Sequence, residues 1–259
     1  MNIGFIGMGN MARAIAGGLV ASGAAEAASL YAYAPHYDKL ESFCAPLGIH
    51  ACRCAEEAVS ACDLIVMAVK PYVVEGVLAE LKDALRGKAI VSVVAGWTLE
   101  KYRPCLDEST RVQYIMPNTP CNVGEGMLLF EQENTLTEEE HELALKLMSA
   151  IGKTMILPSR LMNIGMAVSG CGPAFVAMML EALADAGVKY GLARQDAYLL
   201  ASQTALGTAK LQMETNMHPG VLKDAVCSPA GTTIRGVEAL EACGVRHAFM
   251  EAVRAVMEK

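Results

Sequence analysis

Two short runs in this chain leave backbone donors where an anion could sit, and they lie at opposite ends. Ser228-Pro229-Ala230-Gly231-Thr232-Thr233 leads straight into an amphipathic helical pattern. Pro229 and Gly231 shape such a turn, and Thr232 and Thr233 expose N–H groups at the helix start, where the helix dipole favours negative charge. A small carboxylate suits it; an ordinary capped helix is the alternative, because Ser and Thr are common caps. At the other end, Gly7-Met8-Gly9-Asn10-Met11-Ala12 follows the apolar run Ile3–Ile6 and opens the helical run Arg13–Ala21. In a G-x-G-x-x-A turn between strand and helix, Gly7 permits the tight turn and Gly9 lets the backbone approach a pyrophosphate. Ala12 is small enough for the helix to pack close on the strand. A plain tight turn is the alternative.

The elements that must position these runs follow from hydrophobic periodicity. Apolar strand-like runs at Ile3–Ile6, Leu30–Ala34, Leu64–Val69, Ala89–Val94, Val112–Met116 and Met155–Leu157 alternate with helical patterns at Ala16–Ala21, Ala55–Ala61, Val73–Leu85 and Glu138–Ile151. Repeated β-α units predict a parallel sheet. Thr137 is placed to cap the last of these helices, and the acidic run Glu138–Glu140 reads as a solvated helix start. Pro158 breaks the pattern, and beyond about Arg160 the chain reads as all-helical. Two long helices, Pro173–Tyr190 and Arg194–Thr215, carry Ala, Met and Leu on more than one face. That is more apolar surface than a small domain needs, so a partner surface is expected. The predicted boundary divides residues 1–158 from 159–259.

Composition excludes some classes of function. With 259 residues the chain can build a substantial core, and a formal net charge of −7 provides no basic footprint for nucleic acid. No secretory signal and no membrane-spanning apolar stretch are read from the sequence, so a cytoplasmic protein is expected. The 9 cysteines are scattered without a C-x-x-C, which predicts free thiols and no metal site.

The run His218–Glu241 resembles the signature segment of pyrroline-5-carboxylate reductases, and the resemblance extends over nearly the whole chain. Ala68-Val69-Lys70-Pro71, Val94-Ala95-Gly96, Met116-Pro117-Asn118-Thr119-Pro120 and Val168–Phe175 are similar to further segments of that family. Departures are Cys171 for a usual Ser, Trp97 for a smaller aliphatic residue, and Ser159 and Ala55 where some members have Glu and Asn. The resemblance implies an α/β fold: an N-terminal Rossmann-type doubly wound sheet with a C-terminal all-helical dimerisation domain. It also implies reduction of 1-pyrroline-5-carboxylate to L-proline by NAD(P)H in a homodimer or higher homo-oligomer. Gly7, Met8, Gly9, Asn10, Met11, Pro35, His36, Val69, Lys70, Ala95 and Asn118 would then hold the cofactor. Ser228, Gly231, Thr232 and Thr233 would hold the substrate carboxylate, with the Thr233 hydroxyl facing the ring nitrogen.

Cofactor preference rests on the end of the second strand, where NAD enzymes place a carboxylate about 20 residues past the glycines. The chain reads Tyr33-Ala34-Pro35-His36 there, with no carboxylate until Asp38. That favours NADPH, with NADH also accommodated; His36 or Lys39 would face a 2′-phosphate, and no Arg stands nearby in sequence. His218 reads as a helix boundary, and Lys223-Asp224 as solvent-facing charges. Two other readings are a β-hydroxyacid dehydrogenase and a non-catalytic NADPH sensor. The first needs a Lys in the first long helix of the second domain, and none lies between Gly170 and Val188. The second has no use for an intact Ser228–Thr233 turn.

Overall fold

In the computed structural model, which describes residues 1–258, alternate strand residues are buried on opposite faces of one sheet. The strands are β1 (Ile3–Ile6), β2 (Leu30–Tyr33), β3 (His50–Ala51), β4 (Leu64–Met67), β5 (Ala89–Ser92), β6 (Arg111–Met116), β7 (Gly126–Glu131) and β8 (Gly152–Leu157). They form an 8-stranded sheet in the order β3-β2-β1-β4-β5-β6-β7-β8. All neighbours are parallel except β6 and β7. Order reverses on either side of β1, which is the switch point where a doubly wound sheet opens its ligand crevice.

Period-2 alternation explains why both faces need helices. Phe5, Ala32, Val66 and Val91 pack on one face against α1 (Asn10–Ala21), α2 (Tyr37–Cys44) and α6 (Glu138–Ser149). Ile6, Ile65, Met67 and Ile90 pack on the other against α3 (Ala55–Ser60), α4 (Val74–Leu81) and α5 (Leu99–Tyr102). Each large aliphatic side chain removed from water this way contributes roughly 1.5–3 kcal/mol. Close approach is set by glycine: a Cβ on Gly4 would lie 2.9 Å from the Ala58 carbonyl oxygen, so α3 can lie this near β1 only over a bare backbone.

The predicted strands are all present, with ends moved by a few residues, and the sequence reading missed β3 and β7. Helix α1 begins at Asn10, earlier than periodicity alone indicated. Glu140 is not simply solvated. It closes a capping box with Thr137 and takes a bidentate pair from Arg111, at 2.7 Å from Nε and 2.6 Å from Nη2.

The chain divides into two compact units, Met1–Cys171 and Gly172–Lys259. By packing, α7 (Ser159–Gly165) and the π-helical turn Met166–Gly170 go with the first unit on β7: Met162 and Met166 pack with Leu129 and Leu157. The second unit contains α8 (Gly172–Lys189), α9 (Arg194–Thr215), α10 (Pro219–Ala225), α11 (Thr232–Ala242) and α12 (Val245–Met257). Its α8–α9 hairpin is tight because Gly187 faces Ala197 and Leu192 with no side chain of its own. One correction concerns length: the helical stretch Ser159–Lys189 runs for 31 residues and contains an 18-residue window of mean hydropathy 1.5, so by length and composition it is long and apolar enough to cross a membrane. Glycines at 165, 170 and 172 and Pro173 hid that continuity in the sequence.

Candidate functional site

The glycine turn is built from two glycines with opposite demands. Gly7 has φ +94°, and a Cβ there would stand 2.7 Å from the Ala68 carbonyl oxygen. Its N–H donates to the Tyr33 carbonyl at 2.9 Å, which ties the turn to the end of β2. Gly9 is the residue before α1, exposed and extended, and a Cβ there would meet no atom within 4 Å. No side chain caps this helix start and no acidic residue sits in its first turn. The first-turn N–H groups of α1 therefore have no side-chain acceptor and the positive end of the helix behind them, which suits a pyrophosphate. Met8 is buried, and its carbonyl accepts from Arg13 Nε at 3.1 Å, fixing the turn from below.

Beside it, Pro35, His36, Tyr37, Asp38 and Lys39 line a surface pocket at the end of β2 and the start of α2. His36 and Pro35 are exposed, and no carboxylate stands between Tyr33 and Asp38. Short β3 pairs with β2 and brings Arg53 to this place; its guanidinium carbon sits 4.1 Å from the Tyr37 ring centroid. The sequence expectation that no Arg stands near is corrected here, because a strand of 2 residues carries no readable periodicity.

The loops after β4 and β5 are pinned to each other, and the second of them to β6 and β7. Val69 is half-buried and Lys70 exposed at the end of β4, and the Pro71 carbonyl accepts from Trp97 Nε1 at 3.2 Å. The indole is thus buried structure rather than a free surface. Ala95 is exposed, and the Gly96 N–H after it donates to the Tyr114 hydroxyl at 3.3 Å. Burial pushes that phenol up to about 12, so it stays neutral at physiological pH. The Leu99 N–H, at the start of α5, donates to buried Glu131 at 3.0 Å. Tyr114 and Glu131 were not singled out from sequence, and nothing local to either marks its role.

Asn118 behaves differently from expectation. Its Oδ1 accepts from the Met127 N–H at 2.8 Å and its Nδ2 donates to the Ser169 carbonyl at 2.9 Å. The side chain is buried and joins β7 to the π-helical turn, which leaves one N–H and one lone pair of Oδ1 for a ligand.

In the second unit, Ser228–Thr233 forms a sharp, exposed turn. Ala230 adopts φ +58°, a left-handed conformation unusual for alanine. A Cβ on Gly231 would stand 2.4 Å from Ser228 Oγ and 3.0 Å from the Ser228 carbonyl oxygen, so a side chain there would displace the Ser228 hydroxyl. The Gly231 N–H is spent on the Ser228 carbonyl at 3.0 Å, which corrects its expected part as an anion donor. The first-turn N–H groups of α11, from Thr232 onward, have no side-chain cap and keep that capacity. His218 caps α10 by accepting from the Gly220 N–H at 3.0 Å, and Lys223 pairs with Asp224 at the surface, as expected for both.

Among the described residues, no group of three or more His, Cys, Asp or Glu could hold a metal. Burial pushes the thiols of Cys44, Cys52 and Cys121 up to about 11 and that of Cys62 to about 12, which leaves them as inert core residues.

Comparison with known proteins agrees with this division of labour. Residues 159–259 match the family model for pyrroline-5-carboxylate reductase dimerisation, and residues 2–96 that for NADP oxidoreductase, coenzyme F420-dependent. The chain is similar to the pyrroline-5-carboxylate reductase of Treponema pallidum, 42% identical over 99% of each chain. It is 40% identical to that of Escherichia coli over 99% of this chain and 96% of the relative. A crystal structure of Plasmodium falciparum pyrroline carboxylate reductase with NADP bound superposes with a TM-score of 0.91 at 31% identity, covering 100% of this chain and 96% of that one.

Proposed function

The chain belongs to the pyrroline-5-carboxylate reductase family and is an NAD(P)H-dependent oxidoreductase, and from that premise we propose how its own residues carry the reduction of 1-pyrroline-5-carboxylate to L-proline, the last step of proline biosynthesis. The observation that carries the reading is the pairing of two uncapped helix starts, α1 behind Gly9 and α11 behind Gly231. One suits a pyrophosphate and the other a small carboxylate.

Residues 1–158 bind the dinucleotide in this reading. The first-turn N–H groups of α1 take the pyrophosphate, Pro35 and His36 flank the ribose, and Val69, Lys70 and Ala95 border the crevice at the strand ends. NADPH or NADH, once bound, supplies the hydride. Residues 159–259 provide the substrate turn and the contact with a second copy. Thr232 and Thr233 N–H groups hold the carboxylate, with Ser228 beside them, and orientation is most of what the chemistry asks, because a protonated imine is already electrophilic. The Thr233 hydroxyl donates to the ring nitrogen as that atom loses its positive charge. It is no general acid: a hydroxyl pKa is far too high for net proton transfer, so the proton on nitrogen comes with the substrate.

We further propose a cytoplasmic homodimer or higher homo-oligomer whose contact is made by the helical unit, with proline as product ligand and neither nucleic acid nor membrane as partner. Alanine-rich helices with large exposed apolar side chains, among them Met178, Leu199 and Leu206, support this, and the family model over residues 159–259 is one for dimerisation.

The test is the loss of NADPH absorbance with pyrroline-5-carboxylate, comparing the wild type with Thr233→Val. The variant keeps the β-branched shape and the backbone N–H. A hydrogen bond to a charged group is worth roughly 1.5–3 kcal/mol, so kcat/KM falls about ten- to a hundred-and-fifty-fold. NADPH affinity stays level. Wild-type turnover by Thr233→Val would return the residue to the role of helix start.

A further inference from the structure

Two arginines reach the end of β2, and they are used in opposite ways. Arg13 donates from Nε to the Met8 carbonyl at 3.1 Å and from Nη2 to the Lys39 carbonyl at 3.4 Å, and it lies 5.0 Å over the Phe43 ring. Its donors hold α2 against the glycine turn. Arg53 makes no such bonds. Its guanidinium rests over Tyr37 at 4.1 Å, and among the described residues no carboxylate comes within ion-pair distance of it. Of the two acids that follow it, Glu56 makes no ion pair with it and Glu57 accepts from the Arg53 backbone N–H at 2.9 Å, while Glu41 accepts from the Tyr37 hydroxyl at 3.2 Å.

Position gives this free guanidinium a meaning. Tyr37 lines the pocket formed with Pro35, His36, Asp38 and Lys39 at the end of β2, and Tyr33 just before it accepts from the Gly7 N–H. In a doubly wound sheet the ribose next to the adenine lies at this strand end, and a carboxylate there selects free hydroxyls whereas an arginine selects a 2′-phosphate. Asp38 is the only acid lining the pocket, and Lys39 follows it. A planar guanidinium stacked on an aromatic ring is already oriented, so little freedom is lost when it grips a phosphate.

We infer that Arg53, held on the Tyr37 ring, selects NADPH over NADH by engaging the 2′-phosphate. The inference rests on the oxidoreductase reading above and adds to it the residue that sets coenzyme preference.

Calorimetric titration of the full chain with NADPH, NADH and the fragment 2′,5′-ADP tests it, using wild type, Arg53→Gln, Arg53→Lys and Tyr37→Leu. Wild type should bind NADPH more tightly than NADH. Arg53→Gln should raise the NADPH Kd about ten- to a hundred-and-fifty-fold, bring the ratio of the two constants towards one, and flatten the salt dependence of NADPH binding. Arg53→Lys should restore part of the preference, and Tyr37→Leu should lose a smaller part through disorder of the guanidinium. An unchanged ratio in Arg53→Gln overturns the inference, as does equal weakening of both coenzymes. Equal wild-type affinities would sink the role of Arg53 alone, whereas failure to bind either dinucleotide would sink the oxidoreductase reading with it.

Discussion

The two units have similar apolar appetites and satisfy them differently. Residues 1–171 bury Phe5, Ile15, Leu19, Tyr102, Tyr114 and Phe130 almost completely on the two faces of one sheet. Among the described residues the second unit buries only Ala184, Ala197 and Ala201, while leaving Met178, Leu199, Leu206 and Met250 exposed. A sheet supplies its own covering because each β-α return lays a helix on it. Helices with apolar residues spread round the circumference have no such internal cover and need another surface. The first unit is thus a self-sufficient fold, and the second leaves apolar helix faces that the proposed association with another copy would cover.

The sharpest way to break the first half of that contrast is to exchange its glycines. Gly7→Val places a branched side chain at φ +94° with its Cβ 2.7 Å from a backbone carbonyl, so fold and site fail together. We expect a loss of about 4 kcal/mol or more. Gly9→Val meets no protein atom within 4 Å at its Cβ. It should keep the wild-type melting temperature and lose NADPH binding by at least about a hundredfold. Paired calorimetric scans and titrations check both; equal behaviour of the two variants would mean that Gly9 is no cradle.

Next comes the second half. Light scattering of the full chain at micromolar concentration should give at least twice the monomer mass. Leu199→Glu, at a side chain 68% exposed on α9, should shift it towards monomer. Far-ultraviolet circular dichroism should be preserved. A wild-type monomer that stays soluble would show that the helical unit is content as it is.

These contrasts were unequally legible in the sequence. β1, the glycine turn and the long helices could be read because each is a local pattern: a strand run, a fixed spacing, a long stretch rich in the helix formers Ala, Leu and Met. β7 escaped because Gly-Met-Leu-Leu-Phe-Glu is a short, nearly unbroken apolar run, which periodicity cannot assign. Arg53 escaped because only the pairing of β3 with β2 carries it to Tyr37 at the end of β2. At Asn118 and Gly231 the residue types pointed to ligand contacts, yet Met127, Ser169 and Ser228 use those groups first. Sequence shows which hydrogen-bonding groups a motif owns; tertiary structure decides which remain free.

A smaller effect separates the units by pH. Hydrogen bonds from Arg111 hold the Glu140 carboxyl below its ordinary value, with the cap at Thr137 acting in the same sense. A group whose folded pKa is depressed stabilises the fold above its unfolded pKa and loses that contribution as pH falls through the folded value. The first unit should therefore lose stability in the acid range, below about pH 4.5, and Glu140→Gln should remove that part of the pH dependence. At pH 7 the variant should be destabilised by about 1–3 kcal/mol. Denaturant melts at pH 7 and pH 3 measure both quantities, and an identical pH slope in the two proteins would assign the acid sensitivity to other groups.

The smallest effect lies in the substrate turn, and it sharpens the comparison most finely. Both units store positive φ at their candidate sites, but Gly7 does so at no steric cost while Ala230 holds φ +58° with a Cβ. The left-handed conformation costs an L-residue roughly 1–2 kcal/mol. Part of that returns as reduced entropy of the unfolded chain relative to glycine. Ala230→Gly should therefore raise stability by no more than about 1 kcal/mol. Its larger consequence should be dynamic. With the strain removed and more backbone states open, the amides of Thr232 and Thr233 should exchange hydrogen faster in the free protein, and KM for pyrroline-5-carboxylate should rise while kcat holds. Hydrogen exchange and steady-state kinetics give the two readouts. If exchange slows instead, relief of strain outweighs added freedom, and the alanine is a cost carried by the turn rather than a device that keeps its donors aligned.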